Sequence, residues 1–88
     1  MSRETVNLIC AELPGADKVA GPEGDLWALA REPFARVGAV VEVREAAGWA
    51  VLPPLDDHAA RERIVEAYRL VRASLPAGVR ITLDRTSG

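Results

Sequence analysis

This chain is short of the residues on which most small-protein chemistry depends. Its 88 residues include one cysteine, Cys10, and one histidine, His58. A single cysteine excludes any disulfide within the chain and any cysteine-rich metal site, and a lone histidine argues against a histidine-based one. Lys18 is the only lysine among eleven basic residues, Asn7 is the only asparagine and glutamine is absent. Scarcity of thermolabile amides fits a thermophile, and GC-rich coding fits the arginine and alanine excess equally well. Aromatic residues make up only 5%. No apolar run approaches the roughly 18 residues needed to span a bilayer, and Met1-Ser2-Arg3-Glu4 lacks the start of a signal peptide. A cytoplasmic protein is therefore expected.

The composition that is present describes one globular domain over residues 1–88, with 85–88 expected as a frayed tail. Hydrophobic residues supply 49% of the chain, and the net charge is −2. That balance is neither the strongly basic signature of a nucleic-acid binder nor that of an acidic disordered tail. A domain this small buries little more than about 60% of its unfolded surface, and with disulfides excluded and a metal site disfavoured a partner subunit is the one external support left open.

Hydrophobic periodicity divides the chain into elements. Ser2 is a candidate N-cap, and Val6, Ile9, Cys10 and Leu13 then form one helical stripe, ended by Pro14-Gly15. Residues Asp17 to Asp25 read as a polar loop. Leu26 to Arg31 has strand-like alternation with Trp27 and Leu29 on one face. Pro33 interrupts, leaving Phe34 to Val37 as either a short edge strand or a connection. Ala39 to Arg44 is β-branched, Glu45-Ala46-Ala47-Gly48 reads as a hairpin loop, and Trp49 to Leu52 returns as a strand stopped by Pro53-Pro54.

A second helix follows, capped by Asp56 or Asp57, with Leu55 placed to staple against Ala60. Its apolar positions Ala60, Ile64, Ala67, Tyr68, Val71 and Leu75 fall within about 80° of one another at 100° per residue. Pro76 and Gly78 close it, and Val79 to Asp84 alternates as a last strand. The expected fold is α+β, an antiparallel sheet of four to five strands with two helices on one face, in the order α-β-β-β(-β)-α-β.

Two stretches resemble a known family. Leu8-Ile9-Cys10-Ala11-Glu12-Leu13-Pro14-Gly15-Ala16 is similar to the opening helix and C-x-x-LPGA turn of the MmcQ/YjbR family. Trp49 to Pro76 is similar to its closing strand, acidic turn and helix, whose ending here is Ala67-Tyr68-Arg69-Leu70-Val71-Arg72-Ala73-Ser74-Leu75-Pro76. The resemblance covers a little under half of the chain. It implies a CyaY-like fold of two helices on an antiparallel sheet, and a DNA-binding role. The chain is shorter than the family pattern, lacks its middle helix and has Gly48-Trp49 where the family has His-Trp.

Each chemically suggestive residue has a structural explanation. His58 lies in the first turn of the second helix and has no neighbouring nucleophile to activate. Cys10 sits on an apolar stripe, where a thiol behaves as a small hydrophobe. Gly21-Pro22-Glu23-Gly24-Asp25 lacks the Gly-Lys-Ser/Thr ending of a phosphate loop and reads as a turn. Asp56-Asp57 is accounted for by capping and has no spaced oxygen ligands after it. Trp27, Phe34 and Trp49 are expected to fill the core.

Arg61, Arg69 and Arg72 are the one concentration of charge, within about 80° on the second helix. They could grip phosphates, or form a solvated face neutralised by Asp57, Glu62 and Glu66. No catalytic, metal or cofactor site is expected. The first functional expectation is a protein-interaction or homo-oligomerisation module, a homodimer above all. The second is nucleic-acid binding of MmcQ/YjbR type through Arg61, Arg69 and Arg72.

Overall fold

A computed structural model describes residues 2–22 and 24–80. The chain runs through helix α1 (Arg3–Glu12), strands β1 (Ala16–Gly21), β2 (Gly24–Leu29), β3 (Glu32–Val37), β4 (Val41–Glu45) and β5 (Gly48–Leu52), then helix α2 (Asp57–Ser74). The strands form one antiparallel meander, ordered β1-β2-β3-β4-β5, with a helix before it and one after. This is the expected α+β architecture with five strands.

Local chemistry sets both helix starts. The Ser2 hydroxyl accepts from the Thr5 amide at 3.1 Å, and the Asp56 carboxylate accepts from the Ala59 amide at 2.8 Å, so Asp56 rather than Asp57 is the cap. Leu13 and Leu75 end the helices, each followed by proline, and Gly15 takes the left-handed conformation at φ 78° in the first exit turn.

The core lies between the helices and one face of the sheet. Val6, Ile9 and Cys10 of α1 meet Trp27, Leu29, Phe34, Val37, Val43 and Leu52 of the sheet and Ile64, Ala67, Tyr68 and Val71 of α2, all buried. Phe34 and Tyr68 meet edge to face, 5.6 Å between ring centres. The Tyr68 hydroxyl donates to the Pro14 carbonyl at 2.5 Å, tying α2 to the turn after α1.

Three expectations about the chain path are corrected. Asp17 to Gly21, expected as loop, belongs to β1, which pairs with β2 from Ala16↔Leu29 to Gly21↔Gly24. Apart from Val19 its residues are weak strand formers, and most are exposed, so no apolar alternation marked it.

Phe34 to Val37 is neither edge nor connection but part of the central strand. The register passes from Ala28↔Pro33 to Trp27↔Ala35 and leaves Phe34 unpaired, a bulge that lets Phe34 and Ala35 both be fully buried. Proline is tolerated beside such an irregularity. Ala30 and Arg31 make the preceding tight turn at φ 50° and 71°, without the glycine or asparagine that usually announces one.

Finally, Val79 and Arg80, expected to open a last strand, lie in a helical turn over 77–80, and Val79 packs against the core. The rest of that expected strand, and the expected tail, lie outside the described residues.

Candidate interaction surface

Alternation along the strands sorts the sheet into two unlike faces. Cross-strand partners share a face, so Trp27, Ala35, Val43 and Ala50 form a row under the helices. One position along, Val19, Leu26, Arg36, Glu42 and Val51 stand opposite one another in turn across all five strands. This second row is on the face that neither α1 nor α2 covers. Val19 and Val51 are 55% and 59% exposed, and Val40 in the β3–β4 loop is 53% exposed.

Trp49 stands on the same open face, directly across from Arg44. The Arg36 guanidinium lies 3.8 Å from the centre of the Trp49 ring, and that of Arg44 lies 5.8 Å away. Arg36 reaches over β4 to do this and keeps a nitrogen 3.9 Å from the Glu42 carboxylate on the way. Cation–π attraction and charge pairing therefore hold one guanidinium over the indole.

Trp49 was expected in the core and is instead a half-buried surface aromatic. Its position follows from register, because Ala50 takes the inward place opposite Val43. At the other end of the face, Val19, Pro22, Leu26, Arg36 and Val40 line an open, mainly apolar cup of about 700 Å³.

The glycine-rich turn borders that cup and has a packing role. Gly24 has φ 141°, and a Cβ there would lie 2.2 Å from the Val37 carbonyl oxygen. Close approach of two backbones, rather than phosphate, accounts for glycine at this place.

The α2 arginines take separate positions. Arg61 pairs with Glu12 of α1, and neighbouring Arg63 pairs with Glu45 of β4 at 3.2 Å. Arg69 is exposed, and Arg72, in the last turn, is half-buried. Helix spacing still places Arg61, Arg69 and Arg72 on one flank.

His58 is exposed and lies 3.2 Å from Glu62 one turn on. Cys10 is fully buried, and burial pushes its thiol up to about 12, far from the thiolate that nucleophilic chemistry needs. Among the described residues no group of three or more histidine, cysteine or acidic side chains could hold a metal ion.

Two polar features were not anticipated from the sequence. The Trp27 indole N–H donates to the Asn7 side-chain carbonyl at 2.9 Å, and the Asn7 amide group reaches Asp25 at 3.4 Å. The only asparagine thus satisfies the one polar atom of a buried tryptophan. The second is the Arg36–Trp49–Arg44 stack. Its signal was the alternation Ala35-Arg36-Val37 and Val41-Glu42-Val43-Arg44, which places every charge on the face away from the core.

No family model matches the chain, and no similar protein was found among curated proteins or among solved structures. Among the described residues, no helix is long and apolar enough to cross a membrane.

Proposed function

We propose that this chain is a non-catalytic interaction module that works as a homodimer. The observation that carries the reading is the sheet face that α1 and α2 leave uncovered, where Val19, Val40 and Val51 are each more than half exposed. A domain of 88 residues has little apolar surface to spare, and it leaves Val19 and Val40 exposed at the cup and Val51 exposed beside a clamped tryptophan on the β5 edge. The lone, buried Cys10 needs no oxidising compartment, which suits a cytoplasmic setting. Size-exclusion chromatography with light scattering tests the reading. Twice the chain mass is expected, and a monomer at high concentration overturns it.

The second reading, nucleic-acid binding, comes with kinship to the MmcQ/YjbR group. Two helices on one face of an antiparallel sheet suit that kinship, and the exposed Arg69 favours the binding role. Against it stand the net charge of −2 and the engagement of Arg61 by Glu12. Retained binding of a labelled oligonucleotide near physiological salt, lost on combined Arg61, Arg69 and Arg72→Ala substitution, would favour this reading over the first.

A further inference from the structure

Among the described residues the sheet has two edges, and only one of them is protected by the residues of its own strand. Edge strands expose unpaired backbone amides and carbonyls, and proteins blunt them with charge, proline or a covering element. β1 follows that rule, with Asp17 and Lys18 within the strand and Pro22 directly after it. β5 does not. Its five residues, Gly48-Trp49-Ala50-Val51-Leu52, contain no charge and no proline, and the sheet ends there among the described residues. Proline enters only beyond it, at Pro53-Pro54.

We infer that the outer edge of β5 pairs antiparallel with the same edge of a second copy, joining two five-stranded sheets into one of ten strands. This deepens the homodimer reading and rests on it. The occupant is a second copy because the strand is complementary to itself. An antiparallel pair centred on Ala50 is the register that overlaps all five residues. It sets Ala50 against Ala50, Gly48 against Leu52 and Trp49 against Val51. Trp49 and Val51 share the open face, so each copy contributes an aromatic and a β-branched residue to two equivalent cross-strand pairs. The 59% exposure of Val51 is then removed by the indole of the other copy. A two-fold contact needs such self-complementarity, and an unrelated partner gives no reason for it.

A cysteine in place of Ala50 tests the register directly. Opposed residues in an antiparallel pair have Cα atoms about 4.5 or 5.5 Å apart, and both distances suit a disulfide. Mild oxidation of the Ala50→Cys chain is expected to convert most of it to a covalent dimer, whereas the natural chain with its buried Cys10 gives none. Val51→Lys supplies a variant that leaves the fold alone, since the residue is mostly exposed. It is expected to halve the mass at equal concentration without changing far-UV circular dichroism.

A natural chain that is dimeric, but cross-links through Val19→Cys and not Ala50→Cys, overturns the β5 seam and leaves the homodimer reading standing. A monomer overturns both, and slow hydrogen exchange at the β5 amides of that monomer would show the edge covered from within its own chain.

Discussion

The two faces of this sheet are built from the same strands and differ in almost every physical respect. Beneath the helices the buried side chains are apolar among the described residues, and the Trp27 indole N–H is met by Asn7. On the open face apolar and charged residues alternate, and the one large aromatic is held by two guanidinium groups instead of by packing on all sides. The contrast teaches that strand alternation alone divides these strands into a covered face that builds the core and an open face that does not. Each strand serves both, so a shift of one residue in register would exchange them.

The sharpest way to break the contrast is to truncate one aromatic on each side. Phe34→Ala should cost about 3–5 kcal/mol, a large share of the total stability of so small a domain. Trp49→Ala should cost only about 1 kcal/mol, mostly the stacking of Arg36. Urea unfolding of the two variants checks this, and equal losses would mean that the faces are not energetically distinct. Gly24→Ala comes next. Its Cβ would lie 2.2 Å from the Val37 carbonyl oxygen, so a loss well above 1 kcal/mol is expected in the same assay.

Dryness on the covered side has a pH signature. Burial raises the Cys10 thiol from its ordinary 9.0 to about 12 in the folded chain. The unfolded chain ionises first as pH rises, so this contribution is whole below pH 9 and is lost progressively toward pH 12. At pH 10 the loss should be about 1.4 kcal/mol, one unit of differential ionisation. Urea midpoints at pH 8 and 10 measure it as the excess over the same change in Cys10→Ala. A Cys10 chain no steeper than that reference would show the thiol to be wet. The smallest effect belongs to the rim of the covered face, where the Arg61–Glu12 pair is half-exposed on both sides. Arg61→Ala should change stability by less than about 1 kcal/mol, and raised salt should erase even that.

Legibility in the sequence followed the strength of local signals. Both helices, with their caps and buried stripes, were readable because proline, capping residues and a 3.6-residue period act within a few positions of one another. The β4–β5 hairpin was readable from alternation around Val41, Val43 and the return at Trp49. β1 was not, because Asp17-Lys18-Val19-Ala20 becomes a strand only by pairing with β2. The β2–β3 turn was hidden in the same way, since Ala30 and Arg31 adopt positive φ without the residues that favour it. Of the candidate site, the α2 arginines were visible as a helical flank, but the engagement of Arg61 by a residue 49 positions away was not. Val79 misled because alternation over a short apolar run does not distinguish a strand from a packed helical turn.

The sequence by itself determined that no disulfide forms within the chain and which residues of the two helices had to be inside. One cysteine and the apolar stripes of two capped helices decide those points through local chemistry and the hydrophobic effect. Tertiary structure decided the rest. The bulge that buries both Phe34 and Ala35, the outward turn of Trp49 beneath Arg36, and the pairing of β1 with β2 all depend on strand register. Register is a relation between segments, and no single segment carries it.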